Sequence, residues 1–258
     1  MKITVLAENT TTSTDLEAEH GLSLYIETER HNILFDTGQS DLFIKNAEKL
    51  GIDLTQADLA LISHGHYDHG GGLAHFLELN KTAPVYINKH AFEPHYNGKD
   101  KYIGLDTALE DKPRLVFTED AFKIDEELCL FTCNEKEKSF DLGSFGLNMV
   151  QNGRFVPDDF RHEQYLLIKE NGKEILISGC SHKGIMDITS WFKPYALVGG
   201  FHFSKLPLDE TLMEYSKTLQ SFGTRFYTCH CTGYEQYEFM KEHIDNLSYI
   251  STGDVFEI

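Results

Sequence analysis

The sequence predicts an α/β protein. Three observations carry this class. Apolar runs of strand character alternate with stretches of helical spacing. No linker or low-complexity segment interrupts the alternation. A cluster of chemically active side chains follows directly on an apolar run, as ligand-binding residues do at the carboxyl ends of strands in α/β sheets. The 258 residues allow one large domain or two small ones, and 41% are hydrophobic, enough for a sizeable core. Without a divider, the expectation is a single domain over 1–258, made of two αβ halves, with a less regular stretch at about 88–140.

Each element has its own signal. Lys2 to Ala7 is an opening strand, followed by the polar loop Glu8-Asn9-Thr10-Thr11-Thr12. Gly21 to Glu27 alternates like a strand, and Asn32 to Gly38 is its hairpin partner. Leu42, Phe43, Ala47 and Leu50 have helical spacing, and the helix stops at Gly51. Ala57 to Ile62 is a strand, Leu73 to Leu79 a short amphipathic helix, and Pro84 to Ile87 a further strand. In the second half, Gln164 to Ile168 and Glu174 to Ser178 flank Asn171-Gly172, the strongest short hairpin signal. A helix over 184–192, a buried strand at Tyr195 to Val198, a helix over 209–220 and a last buried strand at Arg225 to Thr228 complete the pattern.

Composition narrows the partners. Lys and Arg total 23 against 41 Asp and Glu, a formal net charge of −18. That balance argues against general nucleic-acid binding and against an anionic membrane surface. It leaves room for a small anionic substrate, which cations and a few local Lys or Arg can hold. Lys99 and Lys101, in the one stretch where Lys, His and aromatic residues cluster, are the candidate substrate contacts. The five cysteines are odd in number and show no C-x-x-C pairing, so a reducing compartment is expected. No apolar run approaches the roughly 20 residues needed to span a bilayer, and the first residues lack the apolar core of a signal peptide. A cytoplasmic location is the resulting expectation.

The chemistry concentrates in His64-Gly65-His66-Tyr67-Asp68-His69, between the apolar Ala60-Leu61-Ile62 and Gly70-Gly71-Gly72. Four potential ligands fall within six residues. Two His at i and i+2 can point at one cation, and the Asp and His that follow can turn to a second. Three further histidines, His182, His202 and His230, each follow an apolar strand beside glycine or small residues. One such His is ordinarily structural; three in one context point to a shared site.

The H-x-H-x-D-H run after an apolar strand, with glycines following, resembles the metallo-β-lactamase fold superfamily. Glu8-Asn9, Ile177-Ser178-Gly179-Cys180-Ser181-His182, Gly199-Gly200-Phe201-His202 and His230-Cys231-Thr232-Gly233 narrow the resemblance. Together they are similar to the dihydropteroate synthase-like branch, the 7,8-dihydropterin-6-yl-methyl-4-(β-D-ribofuranosyl)aminobenzene-5′-phosphate synthase type. The resemblance implies a four-layer αββα sandwich with two divalent metal ions, zinc first, manganese or iron as alternatives. It implies His64 and His66 on the first metal and Asp68, His69 and His230 on the second. Asp36, in Leu34-Phe35-Asp36-Thr37-Gly38, corresponds to a residue that braces the metal loop through hydrogen bonds. The chain departs from the pattern where a third first-metal His and a bridging Asp are usual. His182 is taken as a ligand there, with Cys180 and His162 as possible additional ligands, and the second metal is expected to be the weaker. His202 resembles a proton donor of the related tRNA 3′-processing nucleases. The implied activity is metal-dependent hydrolysis or transfer on a small phosphorylated or ester substrate, with Asp68 and His202 catalytic. The alternatives are a mononuclear iron oxidoreductase of the sulfur-dioxygenase kind and a non-catalytic metal or ligand sensor.

Overall fold

The computed structural model describes residues 1–140 and 142–258. In chain order its strands and helices are β1 (Lys2–Ala7), β2 (Ser23–Glu27), β3 (Asn32–Phe35), α1 (Leu42–Lys49), β4 (Leu59–Ile62), α2 (Tyr67–Gly70), α3 (Leu73–Leu79), β5 (Val85–Asn88), β6 (His95–Asn97), β7 (Lys101–Tyr102), β8 (Leu115–Thr118), β9 (Ala121–Lys123), β10 (Leu128–Phe131), β11 (Leu147–Gln151), β12 (Arg154–Pro157), β13 (Tyr165–Glu170), β14 (Lys173–Ile177), α4 (Ile185–Phe192), β15 (Ala196–Val198), α5 (Glu210–Ser221), β16 (Arg225–Thr228), α6 (Tyr234–Lys241), β17 (Leu247–Tyr249) and β18 (Val255–Glu257). The chain divides into two compact units. The first holds Met1–Glu119, Gly146–Gln164 and Ser251–Ile258; the second holds Asp120–Phe145 and Tyr165–Ile250.

The first unit is built on a seven-stranded sheet in the order β18-β1-β2-β3-β4-β5-β8. Pairing is antiparallel from β18 to β3 and parallel from β3 to β8. The whole of β4, Leu59-Ala60-Leu61-Ile62, is buried, as expected of a parallel strand covered on both faces. Leu34, Ala60, Ile62, Val85 and Ile87 pack with Phe43 and Ala47 of α1 and Leu73 and Phe76 of α3. A four-stranded antiparallel sheet, β12-β11-β6-β7, lies in the same unit.

The second unit is also built on seven strands, in the order β17-β16-β15-β14-β13-β10-β9. The β13–β14 turn is Asn171-Gly172, with φ of 52° and 74°, the conformation that an Asn-Gly hairpin favours. From β14 through β17 the strands are parallel. The loops after β14, β15 and β16 therefore leave the sheet at one edge. Leu176, Leu197 and Phe226 pack with Ile185 and Ile188 of α4, Leu212 and Leu219 of α5 and Met240 of α6. Each unit is thus a mixed sheet with helices, the α/β class that the alternation predicts.

The 88–140 stretch is more regular than its sequence suggests. It supplies β6 through β10, divided among three sheets. These strands are two to four residues long, too short to show a period of two. β11, β12, β17, β18 and α6 have no counterpart among the elements expected from the sequence. The β11–β12 turn is Asn152-Gly153, with φ of 52° and 72°, the same signal that marks 171–172. Among the described residues no helix is long and apolar enough to cross a membrane.

Candidate metal centre

The loop after β4 presents His64, His66 and His69, all buried. Gly65 permits the tight course of the chain: a Cβ there would lie 2.2 Å from the Ala91 carbonyl oxygen. Gln164 straps the loop from beside. Its backbone N–H donates to the Ser63 carbonyl at 2.8 Å, and its side-chain amide donates to the Ile62 carbonyl at 2.8 Å.

Asp36 organises two of the three imidazoles. It is fully buried and holds a positive φ of 59°, a cost tolerated where the surroundings enforce it. Its carboxylate accepts from the Ser63 N–H at 2.7 Å, the Ser63 hydroxyl at 2.7 Å and His69 Nδ1 at 2.6 Å. The Nδ1 of His69 therefore carries its hydrogen, and its Nε2 offers a lone pair. Ser63 has spent its one hydroxyl proton on Asp36, so its oxygen accepts from His64 Nδ1 at 2.9 Å. His64 likewise offers Nε2. A carboxylate that fixes ring tautomers in this way is the usual support of metal-binding imidazoles. The ring centroids of His64 lie 4.2 Å from His69 and 4.6 Å from His66. Burial pushes the His66 imidazole well below its ordinary value, and neighbouring His162 and His95 add to the effect. It is neutral at physiological pH, the form a cation needs.

A second buried network lies against His66. His95, on β6, donates from Nδ1 to Asp158 at 2.7 Å, and Asp158 also accepts from the Phe160 N–H at 2.8 Å. His162 sits 3.5 Å from the other Asp158 oxygen through Nε2, while its Nδ1 accepts the Gly65 N–H at 2.9 Å. With Nδ1 acting as acceptor, neutral His162 carries its hydrogen on Nε2. One donor atom from each of His66, His95, Asp158 and His162 lies within 4.8 Å of the others.

The remaining expected residues of this unit fall around the loop. Asp68, on α2, approaches His20 Nε2 at 3.2 Å. Lys101 lies against the loop's own Tyr67, its ammonium 3.5 Å from the phenol oxygen and 5.4 Å from the ring centroid. Lys99 is exposed in the turn between β6 and β7.

In the second unit, Cys180 and His182 follow β14, His202 follows β15 and His230 follows β16. The rings of His182 and His202 are 4.3 Å apart. Ser181, His202 and His230 all hold positive φ, at 56°, 57° and 50°. Cys231 joins Cys180 and His202, one donor atom from each lying within 4.8 Å of the others.

The donor set suits a divalent cation: neutral imidazoles with oriented Nε2 atoms and a nearby carboxylate. A family model of the metallo-beta-lactamase superfamily matches residues 16–196. The chain belongs to this superfamily. It is 29% identical to the 7,8-dihydropterin-6-methyl-4-(beta-D-ribofuranosyl)-aminobenzene-5'-phosphate synthase of Methanocaldococcus jannaschii, over 93% of this chain and 90% of that one. It is also 29% identical to an uncharacterized protein of that organism, MJ0448, over 99% and 100% of the two chains. Among solved structures it is similar to Tm1679, described as a metal-dependent hydrolase of the beta-lactamase superfamily. There the TM-score is 0.84 at 32% identity, over 100% of this chain and 99% of that one. The fold of the Bacillus subtilis metallo-beta-lactamase fold protein YhfI is similar too, with a TM-score of 0.61 at 13% identity over 100% and 99%.

Three residues in these clusters escape the sequence analysis: His95, Asp158 and Cys231. The unused Asn152-Gly153 signal marks the hairpin that ends at Asp158. Cys231 stands next to His230 in Cys229-His230-Cys231, where the neighbouring His draws attention first.

Proposed function

We propose that the protein is a metal-dependent hydrolase or transferase acting on a small phosphorylated or ester substrate. The observation that supports this best is the Asp36–Ser63 network, which turns Nε2 of His64 and His69 away from their hydrogen-bond partners. In this reading His64, His66, Asp68 and His69 hold divalent metal, zinc first. Metal bound there supplies Lewis acidity and makes water nucleophilic near neutral pH. Asp68 orients that water. His66, kept neutral by burial, keeps its lone pair available across the physiological range. Lys101, held against Tyr67, offers its ammonium to an anionic group of the substrate. The relative named for synthesis of a 5′-phosphate compound lends weight to a phosphorylated substrate.

The test is a phosphoester and ester panel run on metal-loaded, chelated and reloaded protein, with metal content measured in parallel. Activity should vanish on chelation and return on reloading. His66→Ala and Asp68→Ala should lower bound metal and abolish turnover. Full metal content in His66→Ala would sink the ligand assignment. Loaded protein that turns over nothing in the panel would favour a sensor role, and dioxygen uptake by an iron-loaded form would favour the oxidoreductase.

A further inference from the structure

The four-stranded sheet β12-β11-β6-β7 has two unlike faces. Successive residues of a strand point to opposite faces, and directly opposed residues of an antiparallel pair share one. His95 pairs with Met149, and both are buried. On the same face Leu147 packs with Ile103, Phe160 and Tyr67. The other face sets Tyr102 opposite Tyr96, Tyr96 opposite Asn148, Asn148 opposite Pro157 and Val150 opposite Phe155. The Tyr96 ring lies 5.4 Å from that of Tyr102 and 5.0 Å from that of Phe155, edge-to-face in both pairs. The three rings make one row across the sheet. Water reaches both ends of it: Tyr102 is 43% and Phe155 39% exposed.

Exposed apolar side chains scattered singly need no account, but a contiguous row of them marks a contact surface. Charge says what can meet it. The strands and turns of this sheet, 95–102 and 147–161, carry Lys99, Lys101, Arg154 and Arg161 against Asp100, Asp158 and Asp159. The whole chain carries 23 Lys and Arg against 41 Asp and Glu, so the entire negative excess lies elsewhere. Two copies of so acidic a chain repel over most of their surface, and on this face they do not. A basic partner gains little from a balanced face, and a nucleic acid finds too few cations there.

We propose that the outer face of β12-β11-β6-β7 is the contact surface of a two-fold symmetric homodimer. A two-fold axis sets one patch against its own copy, so the Tyr102–Tyr96–Phe155 row of one protomer packs on the same row of its partner. Rings meeting in this way adopt offset or edge-to-face pairs. Lys99, Asp100 and Arg154 are exposed and put both signs at the rim, where charge selects the partner and the register. The contact also bears on the buried face. β6 carries His95, and β7, only two residues long, carries Lys101 beside Tyr102. Covering the outer face braces both strands from behind. The dimer face is independent of the hydrolytic reading.

The experiment is sedimentation velocity on the full-length chain over a concentration series, with hydrogen exchange measured at both ends of the series. The mass should reach twice 29.5 kDa, and amide exchange in β6, β7 and β12 should slow as it does. Phe155→Glu, which sets like charges against each other across the contact, should weaken the dimer at least roughly tenfold. Phe155→Tyr should keep it, and so should Leu208→Glu, at an exposed residue of the second unit. A wild-type chain that stays at 29.5 kDa through the micromolar range would overturn the proposal; that is the result expected if a different macromolecule covers this face. So would a dimer that Phe155→Glu weakens no more than Leu208→Glu does, or one whose slowed exchange lies only in other strands. The wild-type mass and exchange pattern need no variant, so a variant that fails to fold leaves the test intact. None of these readouts involves turnover or metal, so the hydrolytic proposal can fail while this one stands.

Discussion

The two units both gather ionisable side chains past the carboxyl ends of parallel strands, yet they hold them by different means. In the first, buried carboxylates do the holding. Asp36 takes three hydrogen bonds and settles the tautomers of His64 and His69; Asp158 takes those of His95 and the Phe160 amide. In the second, the Cys180–His202–Cys231 group contains no carboxylate. Backbone conformation supplies the order, through positive φ at Ser181 and His202 and the missing Cβ of Gly200. The difference teaches that side chains at a sheet edge can be ordered by hydrogen bonds to a buried carboxylate or by backbone conformation. A carboxylate partner fixes a ring's tautomer and raises its basicity, whereas a positive φ or a missing Cβ fixes how closely the loops approach.

The largest expected effect that would break this comparison is at Asp36. Asp36→Ala leaves the Ser63 N–H and hydroxyl and the His69 N–H buried without their acceptor, and it puts alanine, which tolerates the left-handed region less well than aspartate, at φ 59°. Stability should fall by about 3 kcal/mol or more by urea denaturation. Metal affinity should fall roughly 10–100-fold by chelator competition. If affinity is unchanged, the loop orders itself without the carboxylate.

Asp158 comes next. Burial pushes its carboxyl up, but hydrogen bonds from His162 and His95 and their charge win and hold it far below the ordinary carboxylate value. A carboxyl depressed in the folded state adds stability that is fully present above its unfolded value of about 4 and is lost as pH falls further. Asp158→Asn should therefore cost about 2 kcal/mol at neutral pH. The gap from wild type should narrow as pH falls from roughly 5 to 2. A gap that stays constant through that range would mean the charge contributes nothing.

Gly200→Ala tests the second unit's device. The added methyl meets Cys231 Sγ, so overpacking should cost about 1–3 kcal/mol in thermal or urea unfolding. An unfolding midpoint that the methyl leaves unchanged would mean that the missing Cβ at Gly200 does not set how closely these loops approach.

Lys101→Ala should have the smallest effect on the fold, within about 0.5 kcal/mol, because the side chain is exposed. On an anionic substrate it should raise KM while leaving kcat nearly unchanged, the signature of lost uniform binding. An unchanged KM would remove Lys101 from the substrate contacts.

Much of this was legible in the chain itself. The strand before the loop, the glycines after it and the four ligand types within six residues are contiguous, so the local pattern alone places them at a strand end. The three later strand-end histidines were legible for the same reason. Asp36 was legible only by resemblance, because nothing local to Phe35-Asp36-Thr37 says that its carboxylate reaches Ser63. His95 and Asp158 were not legible as a pair. They stand 63 residues apart, one on β6 and the other just past β12, strands too short to announce themselves.

The sequence by itself determined the α/β class, the order of most strands and helices, the loop of His64 to His69 and the acidic surface. These depend on neighbours a few residues away, through side-chain periodicity, turn chemistry and net charge. Tertiary structure alone decided which hydrogen each imidazole carries, that Asp158 draws His95 and His162 together, and that Cys231 meets Cys180 across Gly200. Those outcomes depend on strand order and register, which bring distant residues within hydrogen-bonding reach. No local pattern in the chain encodes the distance between two loops at the end of a sheet.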